Sequence, residues 1–594
     1  MTLKGLGVSP GIARGTAVHF HWRGRHVFRV DLTEGEVDRE IKRLHRALRV
    51  ARRQLQTIKR RAERALGKEH AYILDAHLLM LEDQAVIGEI EALIRASRVN
   101  AEWAVKVVTD RLVDIYSEIS DDYLRARVSD IEDVGRRLIS VLLGTQRSRY
   151  HNLPPATVLV TEELLPSALV ELDLRSVVGF ITGIGGSTSH TAIIARSLGI
   201  PAVVGLHEAI HRIENDVPVI VDGTTGSVIV SPTPEEIARS EAEQKERERR
   251  WSWLGERLAL PAETLDGVRV TLRANIELPS ELDDVARYGA SGIGLFRSEF
   301  LYLQAAPDVP SEETQFEIYK RVAEAAGPSG AVIRTVDWDE TRLPLGTGSA
   351  TPVSRIGDVG LERNPALGLR GIRFSLAVPD LFRTQLRAIV RASAYGTLRI
   401  VLPLITGVEE FRQARRILTD IIRELRNEGQ RVADTVALGA MIEVPAAVLL
   451  ADHLARECDF FSLGTNDLTQ YLLAVDRDND RVAHLYDPLH PAILRALHHT
   501  IRAAEGTGIP VEVCGEMAAD PLQALVLLGL GVRIFSMRPR AIPVIKEVFR
   551  SVSIAEVTDA VSSARECASA DEVRACLRQK LADVVPDAFP LSEP

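Results

Sequence analysis

The chain has 594 residues, 46% hydrophobic and 26% charged, with a formal net charge of −10 at pH 7. That length exceeds a single core and sets an expectation of roughly three or four domains, and the acidic balance gives no global support for nucleic-acid binding. Met1-Thr2-Leu3-Lys4-Gly5 lacks the basic and apolar regions of a leader, no apolar run reaches the roughly 18 residues of a membrane span, and the cysteines Cys458, Cys514, Cys567 and Cys576 are too scattered for a disulfide framework or a zinc site, so a cytoplasmic protein without membrane insertion is expected.

A short N-terminal strand leads into a helical region. Val37, Ile41, Leu44, Leu48, Ala51, Leu55, Ile58 and Ala62 alternate in steps of four and three, one continuous seam with lysines and arginines on the other faces. Amphipathic stretches continue through Leu78-Leu79-Met80-Leu81 to Arg136-Arg137-Leu138, so residues from about 30 to 145 read as a bundle of long antiparallel helices. The bundle holds no catalytic cluster, which leaves a docking role or a purely structural one.

From about 150 to 232 the pattern changes to short β-branched runs: Ala156 to Val160, Val177 to Ile181, Ala202 to Val204, Val217 to Val221 and Ser227 to Val230, the last two joined by the turn Asp222-Gly223-Thr224-Thr225-Gly226. Within this small α/β domain the run Gly185-Gly186-Ser187-Thr188-Ser189-His190 opens a helix. Glycines let backbone amides approach a phosphate, a helix N-terminus favours an anion, and a neutral imidazole, with an unperturbed pKa of about 6.5, is a nucleophile near neutrality. These parts suit a histidine that carries a phosphoryl group; the same serines and threonine also read as a helix cap beside an incidental histidine. The charged stretch Pro234 to Arg250 follows as a solvated linking helix.

Eight strand-like runs then alternate with helical stretches: Val270 to Ile276, Gly292 to Arg297, Val332 to Asp337, Arg399 to Ile405, Leu438 to Glu443, Phe460 to Thr465, Val511 to Glu516 and Arg533 to Met537. This is the signature of a (β/α)8 barrel, whose active sites lie at the C-terminal strand ends. Those ends carry Arg297, Arg334, Glu443, Asn466, Asp467 and Cys514, and adjoining segments carry Arg370 and Arg477. Arginine forks clamp oxyanions, and Glu443 with Asp467 can hold a magnesium ion bridging substrate oxygens, so the set suits a multiply charged phosphate or carboxylate. Any single arginine of the set also reads as a surface ion pair. Cys514 reads either as a small apolar filler or, from its place at a strand end, as a group that supplies or removes a proton.

As a set, these residues resemble phosphoenolpyruvate-protein phosphotransferase, enzyme I of the bacterial sugar phosphotransferase system. The likeness runs from Ser9-Pro10-Gly11-Ile12-Ala13 through Asp122-Tyr123-Leu124 and the histidine run to Gly294-Leu295-Phe296-Arg297-Ser298-Glu299-Phe300, Ile442-Glu443-Val444-Pro445-Ala446 and Phe461-Ser462-Leu463-Gly464-Thr465-Asn466-Asp467-Leu468-Thr469-Gln470-Tyr471. The resemblance implies that His190 is phosphorylated, that Arg297, Arg334, Arg370 and Arg477 contact phosphoenolpyruvate, and that Asn466 contacts its phosphate. It further implies that Glu443 and Asp467 ligate Mg2+, that Cys514 protonates the enolate of pyruvate, that the barrel forms a homodimer, and that the helical insert docks the phosphocarrier protein HPr. The expected fold class is multidomain α/β. A helical bundle (30–145) is inserted in a small phosphohistidine, or swivelling, domain (1–29 and 146–232); a linker helix (233–262), a (β/α)8 TIM-type barrel (263–575) and a C-terminal tail (576–594) follow.

Departures from the family pattern concern rate, affinity and partner choice. Trp338-Asp339-Glu340-Thr341-Arg342 stands where a Gly-Gly-Asp-Lys run is usual, with Arg342 as the candidate replacement for the lysine. Ser187 replaces a basic residue, and Lys68 and Gln84-Ala85 stand where several relatives are acidic. Two other functions stay in view. One is a non-catalytic regulatory paralogue that binds phosphoenolpyruvate or a carrier; the other is a pyruvate phosphate dikinase-like enzyme, which needs an ATP-binding domain ahead of the histidine domain.

Overall fold

The computed structural model describes residues 1–20, 27–66, 73–118, 122–144, 153–162, 164, 176–186, 190–305, 309–337, 364–477, 479 and 481–581. Ser187, Lys68 and the Trp338–Arg342 segment lie outside the described residues, as does the side chain of His190. The chain divides into two compact units, Met1–Arg250 and Trp251–Pro594.

In the first unit the expected single N-terminal strand is three: β1 (Thr2–Lys4), β2 (Leu6–Ser9) and β3 (Ile12–His19). Helices α1 (Val37–Leu66), α2 (Ile73–Glu82), α3 (Gln84–Ser97), α4 (Ala101–Glu118) and α5 (Asp122–Leu142) come next. They are followed by β4 (Thr157–Thr161), β5 (Val177–Thr182), α6 (His190–Leu198), β6 (Ala202–Val204), β7 (Pro218–Asp222) and β8 (Ser227–Val230). The helices are thus inserted between two strands of one sheet, whose order is β1-β8-β7-β3-β4-β5-β6-β2. The α1 seam is the reason the insert folds: Val37, Ile41, Leu44, Leu48, Ala51 and Leu55 are all buried together with Ile90, Ile94, Val105 and Leu138. Truncating Leu44 to alanine there would cost about 2–5 kcal/mol.

Strand β4 is central and parallel to both neighbours, β3 and β5, and all five of its residues are buried. Alternation divides its side chains between two cores. Val158 and Val160 join Ile181, Val203 and Ile210 on one face, while Leu159 joins Phe180, Ala192 and Ala195 on the other. Ala192 and Ala195 therefore seat the His190 helix on the sheet.

Helix α7 (Pro234–Glu256) spans the division between the units, and its Leu254 is buried in the core of the second. That second unit is a closed parallel barrel of β9 (Thr271–Ile276), β10 (Ile293–Arg297), β11 (Ala331–Arg334), β12 (Leu398–Leu402), β13 (Ala437–Ile442), β14 (Phe461–Leu463), β15 (Val511–Val513) and β16 (Ile534–Met537), with β16 pairing back to β9. Period-two alternation again sets its layers. Ile293, Phe296, Ile333, Ile400 and Leu402 pack in the large core that also takes in the surrounding helices, whereas Leu295, Val332, Val401, Met441, Phe460 and Cys514 make a separate cluster.

Five barrel strands stop earlier than the sequence suggests: β12, β13 and β14 end at Leu402, Ile442 and Leu463, not at Ile405, Glu443 and Thr465, and in β11 and β15 the hydrogen bonds that end the strand are visible. β11 ends at Arg334, not Asp337: Thr335 N–H still reaches Val401 O (3.1 Å), but the amides after it turn to side chains, Val336 N–H donating to Gln385 Oε1 (3.1 Å) and Asp337 N–H to Glu299 Oε1 (2.8 Å). β15 ends at Val513, not Glu516, whose N–H donates to Asn466 Oδ1 (2.8 Å). At the C-terminal end, the helix Ala570–Leu581 runs through position 575 into the expected tail, and Leu577 and Leu581 are buried in the barrel-unit core.

Candidate active site

The alternation that buries Leu295, Val332 and Met441 carries two residues further along each strand to Arg297, Arg334 and Glu443, at the C-terminal ends of β10, β11 and β13. Asn466 and Asp467 occupy the first turn of the helix Thr465–Leu473, which follows β14. Cys514 directly follows β15, and Arg370 immediately precedes the Gly371 cap of the helix Ile372–Ala377.

Arg334, Arg370, Asp467 and Arg477 share one charge network. Arg370 makes a bidentate contact to Asp337, Nε to Oδ1 at 3.1 Å and Nη2 to Oδ2 at 2.7 Å, and Nη2 reaches Asp467 Oδ2 at 3.3 Å. Its Nη1 donates to Tyr471 Oη (3.0 Å), and Tyr471 in turn donates to the carbonyl of Ala366 (2.5 Å). Arg334 pairs with Glu299 (3.1 Å) and Asp337 (3.4 Å), and Arg477 with Asp467 (3.8 Å). Burial pulls both Arg334 and Arg370 downward, but the surrounding carboxylates outweigh it and the net shift is upward, so both stay cationic. Arg297 stands apart: it pairs with Glu277 and is 39% exposed.

Glu443 is almost fully buried, and its Oε1 accepts the N–H of Leu404 at 2.7 Å. Burial, then repulsion from Asp467 and Asp337, pushes its carboxyl upward despite the nearby Arg334. Gly464 makes the close approach possible, since a Cβ there would lie 2.5 Å from Glu443 Oε2. Asn466 Oδ1 is engaged by the Glu516 amide, which leaves its NH2 as the group to offer an oxyanion. Cys514 is buried, and burial above all pushes its thiol up to about 11, so it is a neutral acid at pH 7.

Glu443 and Asp467 could hold a divalent cation between them: they are hard oxygen donors that repel one another. Magnesium is commonly held by one or two carboxylates, with substrate oxygens and water completing its shell.

In the first unit, β5 ends at Thr182, whose hydroxyl donates to the Ile184 carbonyl (2.8 Å), while Gly183 N–H donates to Thr161 O (3.1 Å). Gly185 follows at φ +134°, a conformation open to glycine, and α6 begins on His190 itself.

Sequence reasoning did not assign roles to Glu299, Asp337 or Tyr471. Asp337 lies three residues after Arg334, and Tyr471 lies one helical turn after Asp467, a spacing that puts both on one face.

Matches to family models cover most of the chain: the N-terminal domain of PEP-utilising enzymes over residues 4–127, their mobile domain over 153–226 and their PEP-binding domain over 253–554. A phosphoenolpyruvate-protein phosphotransferase of Listeria innocua is 40% identical over 574 residues, covering 96% of this chain and 98% of that protein. The proteins of the same name from Geobacillus stearothermophilus and Cupriavidus necator are 41% and 38% identical, covering 91% and 97% of this chain and 91% and 99% of their own lengths.

Proposed function

The chain belongs to the phosphoenolpyruvate-protein phosphotransferase family, and from that premise we propose that it moves the phosphoryl group of phosphoenolpyruvate to His190 and then to a histidine of HPr or a homologous carrier. Pyruvate is released, and the reaction is the first step of a sugar phosphotransferase system in the cytoplasm. The observation that carries this reading is the joining of Arg334, Arg370, Arg477, Asp337 and Asp467 in one ion-pair network at the barrel mouth.

In this reading Arg334, Arg370 and Arg477, with Arg297 at the rim, clamp the phosphate and carboxylate of the substrate, and the Asn466 amide donates to a phosphate oxygen. Glu443 and Asp467 would hold Mg2+, which would supply positive charge against the phosphate. Phosphoryl transfer passes through a loose transition state that needs little covalent help, so positioning and fixed charge supply most of the acceleration. The Asp337–Arg370–Tyr471 brace serves that positioning, because it fixes the guanidinium plane before substrate arrives. The His190 imidazole attacks phosphorus and the enolate of pyruvate leaves. Cys514 then gives its proton to the enolate carbon: the S–H bond breaks, the enolate π pair forms the C–H bond, and sulfur keeps its electron pair.

His190 belongs to the first unit and the substrate groups to the second, so the relay requires the first unit to present His190 in turn to the barrel mouth and to a carrier on the helical insert. A homodimer through the barrel is part of the same reading. Incubation with phosphoenolpyruvate, magnesium and HPr tests it: phospho-HPr and pyruvate in equal amounts are expected, and pyruvate without phospho-HPr removes the carrier assignment.

A further inference from the structure

Ser462 lies on β14, fully buried and in register with Glu512 of β15, and none of the steps above uses it. Its hydroxyl donates to Cys514 Sγ at 3.3 Å. The layer around that sulfur is apolar, made with Leu295, Val332, Val401, Met441 and Phe460. A hydroxyl buried there is costly without a partner, and its partner is the thiol.

The remaining contacts of Cys514 divide into those that fix its backbone and those that set its sulfur. Its N–H donates to Leu463 O (3.2 Å), and its carbonyl accepts from Asn275 Nδ2 (2.9 Å), which is itself oriented by the Ser536 hydroxyl (2.5 Å). At the sulfur, the thiol hydrogen points to Leu463 O (3.6 Å) while Ser462 points at the sulfur itself. A carbonyl can accept only from the protonated thiol, whereas a hydroxyl donor serves both forms and serves the anion better.

We propose that Ser462 is a positioning residue for proton transfer, aiming Cys514 Sγ at the enolate carbon and holding the thiolate left when the proton departs. The proposal rests on the reading of Cys514 as the acid. When the S–H bond breaks, the negative charge develops on a buried sulfur, where an unsupported thiolate is strongly disfavoured. Ser462 then turns a neutral hydrogen bond into a charge-assisted one, and water restores the proton after pyruvate leaves.

The test separates the proton step from phosphoryl transfer. Full-length wild type, S462A, S462T and C514A are incubated with magnesium and pyruvate in heavy water, and deuterium entry into the pyruvate methyl group is followed by NMR; the Michaelis constant for phosphoenolpyruvate is measured alongside. Loss of one charge-assisted hydrogen bond in S462A is expected to slow exchange about tenfold or more, with the Michaelis constant within about twofold of wild type. S462T, which keeps the hydroxyl, restores exchange. Wild-type exchange in S462A, or failure of S462T to restore it while the Michaelis constant is unchanged, overturns the proposal. Wild-type exchange in C514A instead removes the acid role of Cys514 itself, a separate failure that the same measurement identifies.

Discussion

Leu404 donates its backbone N–H to Glu443 Oε1 at 2.7 Å while standing at φ +58°, a left-handed conformation that a bulky residue seldom adopts. The Leu404 side chain is itself buried, and Gly371 lies so close that a Cβ there would sit 2.8 Å from the Leu404 Cβ. Tight packing thus holds a backbone conformation costing about 1–2 kcal/mol, and the amide it presents steadies one oxygen of the proposed metal ligand.

Glu443→Gln keeps that acceptor and removes the charge. Because burial and the neighbouring carboxylates raise its pKa above the ordinary 4.5, Glu443 binds its proton more tightly folded than unfolded. Stability is therefore fullest below pH 4.5 and falls as pH rises through the raised value. In magnesium-free buffer at pH 8 the variant's barrel should unfold at a higher temperature than wild type, and the gap should close by pH 5. Phosphotransferase activity should fall by two orders of magnitude or more, roughly the loss of several kcal/mol of charge stabilisation. Calorimetry at the two pH values checks the first claim.

Gly464→Ala puts a methyl group against Glu443, with ideal Cβ contacts of 2.5 Å to Oε2 and 2.8 Å to Cβ. The carboxylate must shift, so apparent magnesium affinity should weaken about 10- to 100-fold, as when a group orienting a metal ligand is lost. Activity titrated against magnesium measures it; an unchanged midpoint refutes the orienting role.

Arg370→Lys retains a positive charge but loses the two-point contact to Asp337 and the bond to Tyr471. A drop of roughly a hundredfold in kcat/KM for phosphoenolpyruvate is expected, because an ammonium cannot reproduce a fork held on both edges. Tyr471→Phe should cost less, about fivefold to tenfold, since Arg370 loses its bond to the phenol, and the Ala366 carbonyl its donor, while the two-point contact to Asp337 stays.

Cys514 has a thiol pushed up to about 11, first by burial. Alkylation needs the thiolate, so its rate at Cys514, followed by peptide mass spectrometry without substrate, should still be rising tenfold per pH unit at pH 9–10. A plateau near pH 9 would assign the residue an ordinary, unshifted thiol.

Much of this architecture was legible from local pattern. The α1 seam follows from apolar residues in steps of three and four, and the barrel from its alternation of strands and helices, which also puts Arg297, Arg334, Glu443 and Cys514 at strand ends. The brace on Arg370 was not legible, because Asp337, Arg370 and the helix carrying Asp467 and Tyr471 are three separate segments that meet only when the barrel closes. The Leu404 conformation was hidden for a related reason: a leucine gives no sign of positive φ, and only its packing against Gly371 and its bond to Glu443 account for it. The early end of β11 likewise depends on Gln385 and Glu299, distant acceptors that capture the amides of Val336 and Asp337.

The most direct test of the relay is the fate of the phosphoryl group. Wild type and His190→Ala are incubated with radiolabelled phosphoenolpyruvate and magnesium, and bound label is assayed for acid lability and mapped to a peptide. The account predicts acid-labile, alkali-stable label on the peptide carrying His190 and none in the variant. Equal labelling of His190→Ala would contradict it.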